Sequence, residues 1–489
     1  MKKILWIDDE IDTLKPLINL LEERGYDVTG IASAYDGLKL LSKRTYDLII
    51  VDQIMPGKSG IETVSEIREL TEATPVIMLT KSEDEKLIDD AYRYGVNDFL
   101  VKPIKFQQLL ATIKKLIEME EIKRENLPRE YSAFYGEIKE KIEKAGDFSE
   151  WVKIYLELIR WDIEFENYPE MHQIHRDLIR LCEDYFSEFV EENYLMWLRG
   201  ENAPIMTKDI LKRFILPLLK QGEKIYLIVF DCMRLDQWFA IKKVLKEEFY
   251  IEDRYCCAIL PSATQYSRRA IFAGMMPLKI ENLYPNLSED ELLKINWEDS
   301  NYILIRRRED AERLLKDLPK YKESLVAIVI QFLDFLLHSK KGERILEELA
   351  PDEKALRNLT KVWFENSLIF ELFKKMGETG RKIFVTTDHG SIIVRKAQII
   401  KTGLHPSPQI RFKIDKKLEC DERAVLLIKH PEEYGIMSGA QIAIAKSINY
   451  LIFPTKEREY TQRYKGTFQH GGISLQEMVI HFSEVARKG

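Results

Sequence analysis

Asp231, Thr264, Asp334, His338, Asp388, His389 and His470 have the types and the spacing of a nucleophile surrounded by hard metal ligands. Three of the carboxylates follow short apolar runs: KIYLIVF before Asp231, SLVAIVIQFL before Asp334 and KIFVTT before Asp388. Runs so short and so rich in β-branched residues read as buried parallel strands. In an open α/β sheet, ligands bind beyond the carboxyl ends of the strands, so these carboxylates are expected on one edge. Asp334 and His338 stand one helical turn apart and can reach one ion, with His470 completing that set. Asp231, Thr264, Asp388 and His389 would make the second. Imidazole mixed with carboxylate favours Zn²⁺ over Mg²⁺, with Mn²⁺ as the alternative. Two ions about 4 Å apart suit an in-line displacement at phosphorus. Thr264 opens the apolar-periodic segment TQYSRRAIFAG. At a helix N-terminus, backbone N–H groups and the positive dipole end favour a phosphate and an ionised hydroxyl. The plainer alternative is an N-cap threonine. Arg268, four residues on, shares that helix face and is placed to bind a non-bridging phosphate oxygen.

A second acidic set lies near the N-terminus. Asp8 and Asp9 follow KKILWI, Asp52 ends DLIIV, Thr80 ends PVIML, and Lys102 follows DFLV. Carboxylates so clustered need a cation; a hard ion such as Mg²⁺ relieves their repulsion, and Lys102 can hold a phosphoryl oxygen. The elements that must position these groups alternate in type. Strand-like KKILWID, YDVTGIA, DLIIVD, PVIMLT and DFLVKP are separated by helical patterns, among them IETVSEIREL and LIDDAYRYG. Such alternation specifies a doubly wound parallel sheet. Strand–helix alternation returns after residue 203. Between them, dense alternating charge with apolar positions at helical spacing predicts a small helical bundle. Pro128 and the Ala-Gly-Asp-Phe stretch at 145–148 are expected to divide it. His172 and His175, at i and i+3, read as part of a solvated helix face rather than as metal ligands. The bundle is expected to connect the two ends and help dimerisation.

Composition sets the limits. With 489 residues, 45% hydrophobic and 32% charged, the chain should hold two or three globular domains. Net charge is −7, and no Lys/Arg block stands apart from acidic neighbours, which argues against a dedicated nucleic-acid-binding surface. Nor does the region after residue 120 show a compact helix-turn-helix with a basic recognition helix. The five cysteines form no CxxC pair, and no leader or apolar run near 20 residues is present. A cytoplasmic protein with reduced thiols and no membrane span is the expectation.

The first 120 residues resemble a response-regulator receiver domain, flavodoxin-like in fold. The resemblance rests on Asp8-Asp9-Glu10, Asp52 with Met55-Pro56-Gly57, Thr80, and Phe99 three before Lys102. It implies phosphorylation at Asp52 by a sensor histidine kinase, Mg²⁺ on Asp8, Asp9 and Asp52, and a switch through Thr80, Phe99 and Lys102. Residues 204–489 resemble the alkaline phosphatase superfamily, specifically its PglZ branch. The matching stretches are Phe230-Asp231 followed by Arg234, PSATQYSRRAIFAG, Asp334-FLL-His338, TTDHG and FQHGGISLQEM. Superfamily roles make Thr264 the covalent nucleophile and the acidic and His residues the ligands of two Zn²⁺ ions. With 121–203 as helical linker, the whole resembles the PorX-type family of regulators. That family implies a phosphodiesterase acting on nucleotides or oligonucleotides and dimerisation on phosphorylation. It also implies a link to type IX secretion, with secretion-system or sigma-factor partners. A phosphomonoesterase or phosphomutase, or a metal-binding scaffold working through partner proteins, are the alternatives. Met275 to Pro319 matches no motif.

Overall fold

A computed structural model describes residues 1–71, 74–81, 91, 93–332, 349–402, 409–454 and 457–488. The chain divides into two compact units, Met1–Phe134 and Tyr135–Gly489. The first carries β1 (Lys3–Ile7), β2 (Asp27–Ile31), β3 (Leu48–Asp52), β4 (Val76–Thr80) and β5 (Asp98–Val101). They form one parallel sheet in the order β2-β1-β3-β4-β5, the expected flavodoxin-like arrangement. Its central strands β1, β3 and β4 are buried almost end to end, with apolar interiors that suit a sheet covered on both faces. Ile4, Trp6, Leu48 and Ile50 pack with Leu21, Leu109 and Ile113 on one side. Leu5, Ile7, Ile49 and Val51 pack with Val64 and Ile67 on the other. The helix expected near LIDDAYRYG lies mostly outside the described residues.

Two long antiparallel helices, Phe148–Glu164 and Pro169–Leu198, follow the helix Met119–Lys144. Asp147 caps the first of them through the Glu150 amide at 2.9 Å. Pro128 does not divide Met119–Lys144 as expected. A mid-helix proline costs one backbone bond and a carbonyl clash. Here Leu127, Tyr131, Phe134, Ile138 and Ile142 are all buried at helical spacing, and packing carries the helix through.

The rest of the second unit is built on a six-stranded sheet. Its strands are β6 (Ile225–Phe230), β7 (Phe249–Cys257), β8 (Ser300–Ile305), β9 (Leu325–Ile330), β10 (Lys382–Thr387) and β18 (Val479–Arg487). The order is β7-β18-β10-β6-β9-β8. Smaller sheets are made by β11 (Ile392–Ile393), β12 (Lys396–Ile399), β13 (Phe412–Asp415), β14 (Val425–Ile428), β15 (Gln441–Ala445), β16 (Asn449–Ile452) and β17 (Phe468–Gln469). Every residue of β6 and β9 is buried. The register pairs Phe230 with Thr387 on one side and with Ile330 on the other. The three strands preceding Asp231, Asp334 and Asp388 are therefore parallel neighbours, β10-β6-β9, and end level. The stretch from Met275 to Pro319, opaque in sequence, supplies the edge strand β8 and the helices Pro277–Leu283, Glu289–Asn296 and Arg308–Asp317.

Candidate active site

Asp231 leaves β6 and Asp388 leaves β10 side by side, both fully buried. Asp388 Oδ1 accepts the amides of Cys232 at 3.0 Å and His389 at 2.9 Å, which fixes the carboxylate against two turns at once. Ligand atoms of Asp231, Asp388 and His389 lie within 4.8 Å of one another. His389 Nδ1 lies 2.9 Å from the Gly390 carbonyl, so that nitrogen carries the proton and Nε2 presents its lone pair. Burial holds this imidazole down at about 4, leaving it neutral at physiological pH. The His470 ring stacks on His389 with centroids 4.3 Å apart, bringing the two expected ligand sets together. Asp334 and His338 lie outside the described residues.

Thr264 is the first residue of the helix Thr264–Ala273; the N-cap is Ala263, with no side-chain cap. The Thr264 hydroxyl is thus free of capping and turns into the cluster, 3.1 Å from Asp231 Oδ1 and 3.0 Å from His389 Nε2. Arg268 shares its helix face, as expected, but it is held by protein carboxylates. Its Nη1 donates to Asp231 Oδ2 and its Nε to Glu289 at 2.9 and 3.0 Å. Gln331, the residue after β9, donates to the same Asp231 oxygen at 2.9 Å.

The group also contains Cys232, whose Sγ lies within 4.8 Å of ligand atoms of both His389 and His470. Its backbone is left-handed, φ 61°, a conformation that non-glycine residues hold only under tertiary constraint. Sequence reasoning passed over this thiol because it has no cysteine partner; its signal was adjacency to Asp231. Gln331 could have been found by the rule that found the ligands, being a polar residue that breaks an apolar run at a strand end. Two glycines let the segments approach. A Cβ on Gly390 would stand 2.0 Å from the Gln476 carbonyl, and one on Gly472 would stand 2.1 Å from Arg411 Nη2.

In the first unit, Asp8 and Asp52 are buried, and ligand atoms of Asp8, Asp9 and Asp52 lie within 4.8 Å of one another. Lys102 Nζ stands 2.8 Å from Asp8 and 2.9 Å from Asp52. Burial pushes the Asp52 carboxyl up, against the pull of Lys102. Thr80 is buried at the end of β4, and Phe99 packs half-buried against the core. These donor sets are oxygen-only here, and mixed O, N and S in the second unit. That contrast fits a hard ion such as Mg²⁺ in the first and a borderline ion such as Zn²⁺ in the second.

Residues 210–482 match the family described as BREX system PglZ alkaline phosphatase-like domain. The chain belongs to the PglZ family. Residues 4–114 match the response regulator receiver domain and 121–198 the PorX response regulator linker domain. Receiver, linker and PglZ domain thus follow in the order of a PorX-like response regulator. The chain is similar to the transcriptional regulatory protein MalR of Bacillus subtilis, 31% identical over 178 residues, 34% of this chain and 74% of MalR. It is also similar to PcoR of Escherichia coli, 34% identical over 117 residues, 24% of this chain. The chain spans about half the length of PcoR, 52%. Among solved structures, a receiver domain from Clostridium thermocellum is 32% identical, covering 25% of this chain and 98% of that one at a TM-score of 0.24. The receiver domain implies a histidine-kinase partner, and the PglZ domain a phosphoesterase-type hydrolase. Among the described residues no helix is long and apolar enough to cross a membrane.

The linker bonds directly to the segments that carry the candidate site. From helix Pro169–Leu198, Tyr194 Oη accepts the Leu260 amide at 2.8 Å, four residues before Thr264. Ser187 donates to the Ile473 carbonyl at 3.1 Å. Glu183 accepts the Leu475 amide at 2.6 Å; burial pushes this carboxyl up to about 8. From the other helix, Asp162 meets Arg357 Nη1 at 2.5 Å. Arg357 also bonds Glu166 at 2.9 Å and Asp236 at 3.0 Å. Asp236 in turn holds Arg234 at 2.8 Å, and Arg234 donates to Gln476 at 2.6 Å and to the Ser391 carbonyl at 3.2 Å. An unbroken run of hydrogen-bonded charges joins the linker to the segments carrying Asp231, His389 and His470. The histidines at 172 and 175 belong to this packing and not to a solvated face. His172 Nε2 bonds Asp162 at 2.9 Å, and His175, fully buried, bonds the Leu158 carbonyl at 2.8 Å.

Proposed function

We propose that the PglZ domain is a zinc-dependent phosphodiesterase acting on nucleotide or oligonucleotide substrates through Thr264, and that the receiver controls it. The observation that carries this reading is the Thr264 hydroxyl at a helix N-terminus, within hydrogen-bond distance of the acceptors Asp231 Oδ1 and His389 Nε2 inside a buried O/N/S donor cluster. Asp231, Asp388, His389 and His470 would hold metal, with Asp334 and His338 as further ligands. Bound divalent ions would supply Lewis-acid stabilisation of charge on the phosphoryl oxygens. Thr264 attacks phosphorus, its proton passing towards the Asp231 carboxylate, and the ester oxygen leaves. Water then releases the phosphothreonyl group. The helix N-terminus favours the phosphate on the Thr264 side. The deciding assay gives the purified protein, with Zn²⁺ or Mn²⁺, a panel of mono- and diester nucleotides. Turnover of monoesters alone would replace this reading with a phosphomonoesterase. No turnover of either class would replace it with a metal-binding scaffold.

Metal content gives an independent check. Elemental analysis of protein purified without chelator should find close to two transition-metal ions per chain, mostly zinc. Asp388→Ala with His389→Ala should lose at least one, since both side chains face the same buried cluster. Unchanged content in that variant would remove these residues from the ligand set.

Control by phosphorylation is proposed to run through self-association. A phosphoryl group on Asp52 adds charge beside Lys102 and Mg²⁺, and repositioning of Thr80 and Phe99 reshapes the face formed by β4 and β5. Beryllofluoride with Mg²⁺ is expected to shift the protein from monomer towards dimer in sedimentation velocity, with Asp52→Ala blind to it. Superimposable profiles at micromolar protein would rule this out. The link to type IX secretion, and to secretion-system or sigma-factor partners, belongs to the same proposal.

A further inference from the structure

A groove of about 500 Å³ opens beside the ligand cluster, at the carboxyl ends of β8 and β9. It begins one residue from the site: Ile330, in its wall, accepts the Asp231 amide at 2.9 Å. Its floor is apolar and contains a flat double layer, the rings of Phe332 and Trp363 stacked 4.2 Å apart at an interplanar angle of 3°. Its rim is Arg306-Arg307-Arg308, three consecutive exposed arginines. Arg308 is paired with Glu312 one helical turn on. Among the described residues, the guanidinium groups of Arg306 and Arg307 form no ion pair, although Asp310 accepts both their amides, at 3.1 and 3.0 Å, and Arg307 helps hold its carboxyl low. Arg306 Nε donates to Gln331 at 2.9 Å, and Gln331 donates to Asp231, so the rim is two hydrogen bonds from the Asp231 carboxylate.

An apolar helix from a partner would cover the floor but leave two cations facing it. A small diester would use the arginines and leave the ring platform bare. A flat heteroaromatic ring with a phosphate on either side satisfies both features. Bases stack on aromatic platforms with little regard to sequence, and guanidinium groups hold the flanking phosphates. We infer that the Phe332–Trp363 groove, rimmed by Arg306 and Arg307, is a substrate subsite that takes one nucleobase and its neighbouring phosphate from a single-stranded oligonucleotide. This rests on the phosphodiesterase reading and adds to it where the strand lies and why a polymer is preferred to a small diester.

The test uses the full chain carrying Thr264→Ala, loaded with Zn²⁺, and two fluorescent probes: a thymidine hexanucleotide and an abasic hexamer of equal charge. Anisotropy titrations should show the abasic probe binding about tenfold more weakly. Trp363→Ala and Trp363→Leu should abolish that difference. Arg307→Gln should weaken both probes alike and lower the slope of log affinity against log salt by about 0.7. The abasic comparison needs no altered groove, so a poorly folded Trp363 variant does not decide the outcome. Equal affinity for both probes, or a base preference that survives in folded Trp363 variants, would overturn the inference. Hydrolysis of the hexanucleotide by protein retaining Thr264 separates the two ideas. Base-dependent binding without turnover leaves the groove standing and the enzyme reading lost. Turnover with KM unchanged in the Trp363 variants does the reverse.

Discussion

Thr264→Ala should lower diester hydrolysis by on the order of 10³-fold or more while leaving fold and most of the metal in place. The hydroxyl is the nucleophile in the proposed reaction, and alanine removes its oxygen. The neighbouring groups at hydrogen-bond distance, Asp231 and His389 Nε2, accept protons and are committed to the donor cluster. The fold should tolerate the change because Thr264 is not the cap of its helix; Ala263 holds that position. Thr264→Ser keeps the attacking oxygen and should retain measurable activity. Thr264→Val keeps the volume without the oxygen and should resemble alanine. Steady-state rates on one diester at saturating metal, with metal content measured on the same samples, decide the matter. A Thr264→Ala enzyme at the wild-type rate would mean that water attacks phosphorus directly and that Thr264 serves only to orient it.

Arg357→Ala should destabilise the second unit by about 3–5 kcal/mol, the usual cost of removing one partner from a buried charge network. Arg357 sits among Asp162, Glu166 and Asp236, and its loss leaves these carboxylates without their common counter-charge. The pH dependence gives a second signature. Burial alone would raise Asp162 and Asp236, but contacts with His172, Arg234 and Arg357 hold both below the ordinary carboxylate range. A carboxyl depressed in the folded state stabilises above its unfolded pKa, and that stability is lost only as pH falls through the folded value. The native protein should therefore keep this contribution throughout the neutral range. In Arg357→Ala the carboxylates rise, so the deficit should be largest near pH 7 and shrink towards pH 4. Denaturant unfolding at several pH values measures it. A deficit independent of pH would show that Arg357 acts through packing alone.

How far the sequence could be read depended on the kind of signal. The candidate residues Asp231 and Asp388 stood out because a charged residue at the end of an apolar β-branched run is conspicuous, and the register of β10, β6 and β9 brings the ends of those runs level. Thr264 was legible from the helical periodicity that follows it. The groove of Arg306, Phe332 and Trp363 was not, since three arginines followed by Glu309, Asp310 and Glu312 look like an ordinary solvated turn. Nor was the linker's grip on the PglZ site. Tyr194, Ser187, Glu183 and Asp162 are isolated polar residues on long helices, and one-dimensional patterning cannot tell a polar residue facing water from one bonded to a segment nearly 300 residues away, as Glu183 is to Leu475 (a separation of 292). Pro128 misled for the reverse reason: its local cost is real, but the burial of Tyr131, Ile138 and Ile142 outweighs it.

The bonds from Tyr194, Ser187, Glu183 and Asp162 into the segments around the candidate site bear on how such chains can be recombined. A linker that merely spaced two modules could be lengthened, swapped between relatives or cut away without consequence for chemistry. Here its two long helices complete the scaffold behind Leu260, Ile473 and Arg234. The heritable cassette is therefore linker and phosphoesterase together, and any exchange of sensory input has to be spliced upstream, within or before the helix Met119–Lys144 where the two compact units divide.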